Sequence, residues 1–357
     1  MNLSVLIPSL NIDKYLVECL QSLEDLHKNN AEIIIIFDNG FIDPIAASSI
    51  TDLGFNWITS TGKGVSQALN QALTLSTRDY IARIDSDDLW IEGRYENQLS
   101  DLMKYGADCI ISNVDLISST GFPLLSPRAK LPEGEFWFPI LLLGNLIYHP
   151  TLFCRRDWLI HVGGYSDVKI EDFDLWLRTS NSKIYVTKYS TIKYRIHSSQ
   201  VSNQLRNEVA AIELISSFNS FVSNMKLHKS LLNGDHIKYV EQITGQSKRT
   251  SIETFENIFG FLQSAANRMQ GLRGEGYRRI ILNRYVSHLV MTKQFQTLAI
   301  TLFQRKAIFE LFRLVCAHIQ RGFLNASFSS KLLPKNKWPS FIRKSNSEDG
   351  NHLSEEK

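Results

Sequence analysis

The sequence predicts an α/β fold, a sheet flanked by helices and followed by an α-helical appendage, and three observations carry that expectation. Short, apolar, often β-branched segments alternate with longer helix-like patterns through the first half of the chain. After about residue 205 the strand signals fade and long helical patterns take over. At 357 residues the chain is long enough for one large unit and a smaller one, since domains commonly run to about 100–200 residues.

Taken in order, LSVLIPS at 3–9 reads as the first strand and 13–27 as the first helix. EIIIIFD at 32–38 and FNWIT at 55–59 are the next strands, and a second helical pattern, 64–76, opens after Gly62-Lys63-Gly64. YIARID at 80–85 and DCIISNV at 108–114 complete the strand set, with a third helix expected over 90–105. Strands joined through helices make βαβ units and a parallel core. In such sheets ligands sit outside the carboxyl ends of the strands. Those ends carry Pro8-Ser9-Leu10-Asn11, Asp38-Asn39-Gly40 and Asp85-Ser86-Asp87-Asp88. Beyond residue 205, helical patterns cover 206–226, 251–269 and 276–315, and the polar residues 346–357 are expected to be disordered. The predicted division is therefore 1–205, 206–345 and 346–357.

Composition narrows the class. Hydrophobic residues make up 43% and charged residues 21%, the balance of a globular protein. The longest apolar runs, 33–37 and 138–147, fall short of the roughly 20 residues that span a bilayer. No basic region precedes the apolar residues 3–10, so a secretory pattern is missing and a cytoplasmic location is expected. Cys19, Cys109, Cys154 and Cys316 form no CxxC pair, which argues against a zinc knuckle or a disulfide framework. Net charge is +3, but residues 1–200 hold 17 Lys and Arg against 24 Asp and Glu, a balance of −7, while the remainder carries +10. Within 301–345, nine basic residues and a single acid are interleaved with aromatic and aliphatic groups. Two readings stand for that stretch. It docks on an anionic membrane, at the inner face of the plasma membrane, or its apolar face packs on the core and its basic face is solvated. No nucleic-acid-binding motif accompanies it, and nucleic acid is not an expected partner.

Two acidic clusters carry the chemistry. RIDSDDLW at 83–90 sets three carboxylates within four residues directly after an apolar strand. Mutual repulsion there is relieved by a hard divalent cation, Mg²⁺ or Mn²⁺, which prefers oxygen ligands. The competing reading is that Asp87 or Asp88 caps a following helix. The second cluster, EDFDLWLR at 171–178, follows Gly163-Gly164-Tyr165 and opens an amphipathic helix, where helix capping again competes with a catalytic role.

The order of these segments resembles the family 2 glycosyltransferases of the GT-A fold. The matching pieces are LSVLIPSLNIDKYLVECLQSL, EIIIIFDNG, GVSQALNQAL, DYIARIDSDDLW, HPTLFCRRDWLIHVGGY, EDFDLWLR and YRIHSSQVS, spread over about residues 1–205. The sequence departs from the pattern at FDNGFID, where two acids followed by Gly-Ser are usual, and at Leu10, a position often aromatic.

The resemblance implies a Rossmann-like sheet that binds a nucleotide-sugar donor and an inverting transfer to a hydroxyl of a saccharide or lipid-linked saccharide. It assigns Asp38 to the nucleotide base, Pro8, Ser9 and Asn11 to the floor of that pocket, and Arg83, Asp85 and Ser86 to the donor. Lys63 is placed near a phosphate, although an exposed loop lysine is ordinarily just solvated. Asp87, with Asp85 and His197, is placed on the metal, His197 having the alternative of a hydrogen-bonded structural residue. His149 is set on the acceptor side or in a packed loop. Asp172 is the expected general base, with Glu171 as substitute.

Two rivals remain at this level. A sugar-nucleotide pyrophosphorylase would carry a Gly-rich basic loop after the first strand, where this chain has PSLNIDKYL. A non-catalytic carbohydrate- or partner-binding module is opposed by the intact Asp85, Asp87, Glu171 and Asp172.

Overall fold

The computed structural model describes residues 1–38, 44–198, 200, 208–227, 240 and 252–291. Its centre is an eight-stranded sheet of β1 (Leu3–Ser9), β2 (Glu32–Phe37), β3 (Trp57–Thr59), β4 (Tyr80–Arg83), β6 (Cys109–Ile111), β9 (Gly134–Glu135), β10 (Phe153–Arg155) and β11 (Ile184–Val186). The order is β3-β2-β1-β4-β10-β6-β11-β9. β1 is buried along its whole length, which is why it reads as a continuous apolar run rather than an alternating one. The first four strands of that order are parallel, as βαβ units require, but β10 runs antiparallel to both β4 and β6. The sheet is therefore mixed where the sequence predicts a parallel core. β10 follows a 3₁₀ turn at His149–Thr151 rather than a crossover helix, and so enters from the opposite direction.

A smaller sheet, in the order β5-β12-β7-β8, holds β5 (Leu89–Trp90), β7 (Asp115–Ser118), β8 (Pro123–Leu124) and β12 (Ile192–Ile196). β5 replaces the start of the helix expected over 90–105. Leu89 and Trp90 pair antiparallel with Lys193 and Ile192, so tertiary pairing overrides the local pattern. The helix itself, α5 (Arg94–Tyr105), begins after Gly93, whose φ of 76° suits the turn. The helix expected over 13–27 is divided at Leu23 into α1 (Lys14–Ser22) and α2 (Glu24–Lys28), and Asp13 caps α1 by accepting from Tyr15 N and Leu16 N at 2.9 and 3.0 Å. α3 (Pro44–Thr51) leads toward β3, and α4 (Val65–Leu75) lies on β1 and β2.

α6 (Arg156–His161), α7 (Glu171–Arg178), α8 (Glu208–Asn224), α9 (Ile252–Asn267) and α10 (Gly271–Met291) complete the described helices. The expected helical pattern 276–315 is matched by α10 as far as Met291, and its remainder lies outside the described residues, as do the basic stretch 301–345, Cys316 and the tail. One hydrophobic cluster runs without a break from Ile81 and Leu69 through Phe173 and Trp176 to Phe218, Leu262 and Tyr277. The helical region thus packs on one face of the sheet, and α8 grips the back of α7, where Ser217 Oγ donates to Asp174 Oδ1 at 2.5 Å. A second cluster, on the other face, joins Val5, Leu20, Phe37, Leu102 and Phe153. Cys19, Cys109 and Cys154 are buried free thiols, in keeping with the sequence. No helix among the described residues is long and apolar enough to cross a membrane.

Candidate active site

The carboxyl ends of β1, β2 and β4 lie side by side because these strands are neighbours in the parallel part of the sheet. At the first two, Asp38 N donates to Ser9 O at 2.9 Å and the Asp38 carboxylate accepts from Gly64 N at 2.5 Å. Pro8 and Ser9 are buried, and Ser9 Oγ donates to Asn11 O at 2.8 Å, while Asn11 and Lys63 are exposed. Ser9, Asp38 and the glycine loop are therefore brought together, and Asn11 and Lys63 stand at the rim.

At the end of β4 the chain makes a tight turn, Asp88 N donating to Asp85 O at 3.1 Å, and leads into β5 rather than into a helix. Neither Asp87 nor Asp88 caps a helix, which removes the capping reading of this cluster. Carboxylate oxygens of Asp85, Asp87 and Asp88 all lie within 4.8 Å of one another. Asp88 is fully buried: its Oδ1 accepts from Arg195 N at 2.8 Å, and its Oδ2 has no partner among the described residues. A buried acceptor left unpaired costs about 1–3 kcal/mol, more for a charged group. Burial, followed by the charges of Asp85 and Asp87, pushes the Asp88 carboxyl well above the usual carboxylate range. Burial raises the Asp85 carboxyl as well, with Arg83 opposing it through an ion pair of 2.6 Å and Asp87 adding to it. An oxygen-lined, electron-rich turn with an orphaned buried carboxylate oxygen fits a hard divalent cation.

β12 brings two further groups to this turn. His197 Nε2 lies 2.8 Å from Asp87 Oδ2, and the imidazole packs on Tyr15 with ring centroids 4.9 Å apart. Arg195 is 1% exposed and ties three segments together: its Nε donates to Asp87 O at 2.8 Å, one Nη to Glu18 Oε2 at 2.5 Å, and its guanidinium lies 4.7 Å from the Tyr15 ring centroid. Ser86 is half-buried within the turn.

The second cluster opens α7. The residue preceding this helix is Ile170, and it makes no side-chain cap. Glu171 is buried, and Asp172 accepts from Phe173 N at 2.7 Å and from Asn145 Nδ2 at 2.7 Å. Burial, then the charge of Asp172, pushes the Glu171 carboxyl up to about 8. Burial raises Asp172 as well, but the Phe173 N–H, the Arg83 charge and the Asn145 amide all favour its ionised form. The two neighbouring carboxyls thus sit in unlike surroundings: Glu171 is held toward its protonated form, whereas three partners favour the ionised form of Asp172. His149 is 4% exposed, and its Nε2 lies 3.1 Å from the Tyr165 hydroxyl. Its Nδ1 stands 3.8 Å from Glu171 Oε1, but burial and the nearby Arg83 push its pKa well below the histidine range. A neutral imidazole at that distance makes neither an ion pair nor a hydrogen bond. The turn that presents Tyr165 is held by Asn70, which accepts from Tyr165 N and donates to Tyr165 O at 2.9 and 2.7 Å. Gly164, at φ 60°, leaves room for it, since a Cβ there would come within 2.5 Å of Asn70 Oδ1.

Arg83 joins the clusters. It pairs with Asp85, whose carboxylate holds its guanidinium charged in spite of burial. Asp88, Asn145, Tyr165 and Arg195 are the site residues that motif reading passes over. The repeated acid DSDD flags Asp88 and the Gly163-Gly164 turn marks Tyr165, whereas Asn145 stands in an apolar segment with no local signal.

Residues 4–163 match the family model described as "Glycosyl transferase family 2". Among curated proteins, the chain is similar to the O-antigen biosynthesis glycosyltransferase WbnJ of Escherichia coli, 29% identical over 205 residues, covering 55% of this chain and 80% of that protein. It is also similar to the amylovoran biosynthesis glycosyltransferase AmsE of Erwinia amylovora, 28% identical over 189 residues, or 49% and 68% of the two chains. A solved structure of S. aureus TarS residues 1–349 with UDP-GlcNAc aligns with a TM-score of 0.49 at 14% identity, covering 83% of this chain and 92% of that one. Residues 4–163 are thus similar to glycosyl transferase family 2, and the chain is a glycosyltransferase.

Proposed function

We propose that this glycosyltransferase moves a sugar from a nucleoside-diphosphate sugar, a UDP-sugar foremost, to a hydroxyl of a saccharide or lipid-linked saccharide, with inversion and in polysaccharide assembly. The observation that carries the reading is the pair of acidic clusters with unlike environments. One is a turn of three crowded carboxylates, and the other sets Asp172, which accepts from Phe173 N and Asn145 Nδ2, beside the buried Glu171, with Arg83 interacting with both clusters. The names of WbnJ and AmsE support the polysaccharide setting. Residues 1–205 form the catalytic unit in this reading.

Asp87 and Asp85, with His197 beside Asp87, would hold Mn²⁺ or Mg²⁺. Bound there, the ion supplies neutralisation of the donor's diphosphate. Ser9 and Asp38 bind the nucleoside at the ends of β1 and β2, over Pro8, and Asn11 and Lys63 meet it from the rim. Asp172 accepts the proton of the acceptor hydroxyl as that oxygen bonds to the anomeric carbon and the bond from this carbon to the diphosphate breaks. Glu171, protonated, lends no second charge to repel the leaving group. His149 shapes the floor beneath the acceptor carboxylates rather than an exposed surface.

Turnover of UDP-, GDP- and dTDP-sugars by the purified chain, with Mn²⁺, Mg²⁺ or EDTA, tests the reading. Metal-dependent release of one nucleoside diphosphate, abolished in Asp87→Ala, is expected. Absence of binding and turnover with every donor and metal would overturn it.

A further inference from the structure

Arg83 has more hydrogen-bonding capacity than the protein uses. Its side chain is 5% exposed and pairs through one Nη with Asp85 at 2.6 Å, while Nε and the other Nη have no partner among the described residues. A guanidinium carries five N–H donors in a fixed fork, and buried donors are ordinarily satisfied. The strand explains where the fork points. Side chains alternate along β4, so Arg83 shares a face with Ile81, whose cluster contains Leu152, Tyr165 and Phe173, whereas Ala82 and Ile84 belong to the opposite cluster. Arg83 N donates to Leu152 O at 3.1 Å, which fixes this end of β4 against the His149–Thr151 turn. The unpartnered N–H groups therefore belong to the side of the sheet on which α7 presents Glu171 and Asp172, while the paired Nη faces the acidic turn.

We infer that Arg83 recognises the transferred sugar itself, its Nε and free Nη donating to an oxygen of the donor's sugar ring, a hydroxyl or an acyl carbonyl. This rests on the donor reading above. A diphosphate held at Asp87 and an attacking hydroxyl held at Asp172 leave the transferred sugar as the group between them, and Arg83 is the residue that reaches from one cluster toward the other. Its charge is already matched by Asp85, which suits a neutral oxygen acceptor better than a second anion. A planar fork with two fixed directions also discriminates between ring epimers in a way a lysine does not.

The test compares Arg83→Lys and Arg83→Gln with the wild type by calorimetry in Mn²⁺. The ligands are UDP-glucose, UDP-galactose, UDP-N-acetylglucosamine, GDP-mannose and dTDP-glucose, each beside its free nucleoside diphosphate. Loss of one charge-assisted hydrogen bond is expected to weaken the sugar nucleotide by about tenfold while the free diphosphate changes by less than about threefold. Equal weakening of both would place Arg83 on the nucleotide and overturn the inference while leaving the proposed function standing. A wild type that binds none of the donors would instead remove the proposed function. If neither variant folds, singly deoxygenated donors on the wild type decide. One position must weaken binding by about tenfold, and a uniform loss below about threefold at every position overturns the inference.

Discussion

Asn145 Nδ2 donates to Asp172 Oδ2 at 2.7 Å, and Asn145 Oδ1 accepts the Ile147 N–H at 3.2 Å. The backbone bond fixes which end of the amide faces the carboxylate, so the NH₂ group is always the one presented. A donor aimed at a carboxylate favours its ionised form, and the Asn145 amide holds the Asp172 pKa down against burial. In Asn145→Ala the acidic limb of the kcat/KM profile is expected to move to higher pH, because Asp172 must be ionised to accept a proton. A pH–rate profile on the best donor and acceptor checks this, and an unmoved limb with uniformly lower rates would point to packing alone.

Asp172→Asn keeps the shape of the group and removes its basicity. The expected loss in kcat is on the order of 10² to 10⁴, with donor affinity little changed. Glu171→Gln should lose far less at pH 7, since the carboxyl it replaces is already protonated there. Steady-state kinetics of the two variants side by side separate the roles, and a larger loss in Glu171→Gln would reverse the assignment.

Glu171 also makes folding pH-dependent. Below about pH 4.5 its carboxyl is protonated in both the folded and the unfolded chain. As pH rises past that value the unfolded chain releases the proton and the folded one, with its pKa raised to about 8, does not. Stability is therefore lost steadily up to about pH 8 and no further above it. Glu171→Gln cannot ionise in either state. Its Tm advantage over the wild type is expected to grow between pH 4.5 and pH 8 and then level off. Differential scanning calorimetry at several pH values reads the trend.

Arg195→Met removes the donor to Asp87 O and the partner of Glu18 from a position 1% exposed. The Glu18 carboxylate is 44% exposed and can turn to water, so the loss falls mainly on the backbone oxygen of Asp87 and on packing against Tyr15. A destabilisation of about 2–3 kcal/mol is expected, measured by urea denaturation. The Mn²⁺ concentration for half-maximal activity should rise as well, because Arg195 braces the backbone that carries Asp87.

Local sequence predicts the first half of the fold because β1, β2, β4 and α4 are buried apolar runs and amphipathic turns with their own start and stop residues. Their bounds differ from expectation by a residue or two at most. β5 and β10 escape that logic. Leu89 and Trp90 look like the start of a helix until Lys193 and Ile192 claim their backbone groups, a partnership more than 100 residues away. The direction of β10 is set by the turn at His149, which no periodicity reports. The two acidic clusters are legible for the same reason that motifs exist, since each packs its chemistry into a few consecutive residues. What holds them, Asn145 on Asp172 and Arg195 behind Asp87, is contributed by distant segments and shows only in three dimensions.

β12 carries a consequence for how the protein acquires its shape. His197 reaches Asp87 across 110 residues of chain, and Arg195 reaches Glu18 across 177. Until residues 192–196 dock beside β5 and β7, the buried Asp88 lacks its backbone donor and the acidic turn has no brace. Contacts of such high contact order form late, after local helices and hairpins. A nascent chain released only through β11 would own every aspartate of the turn yet lack the groups that hold Asp87 and Asp88 in place. Assembly of this corner therefore waits on β12, the last strand of the N-terminal half.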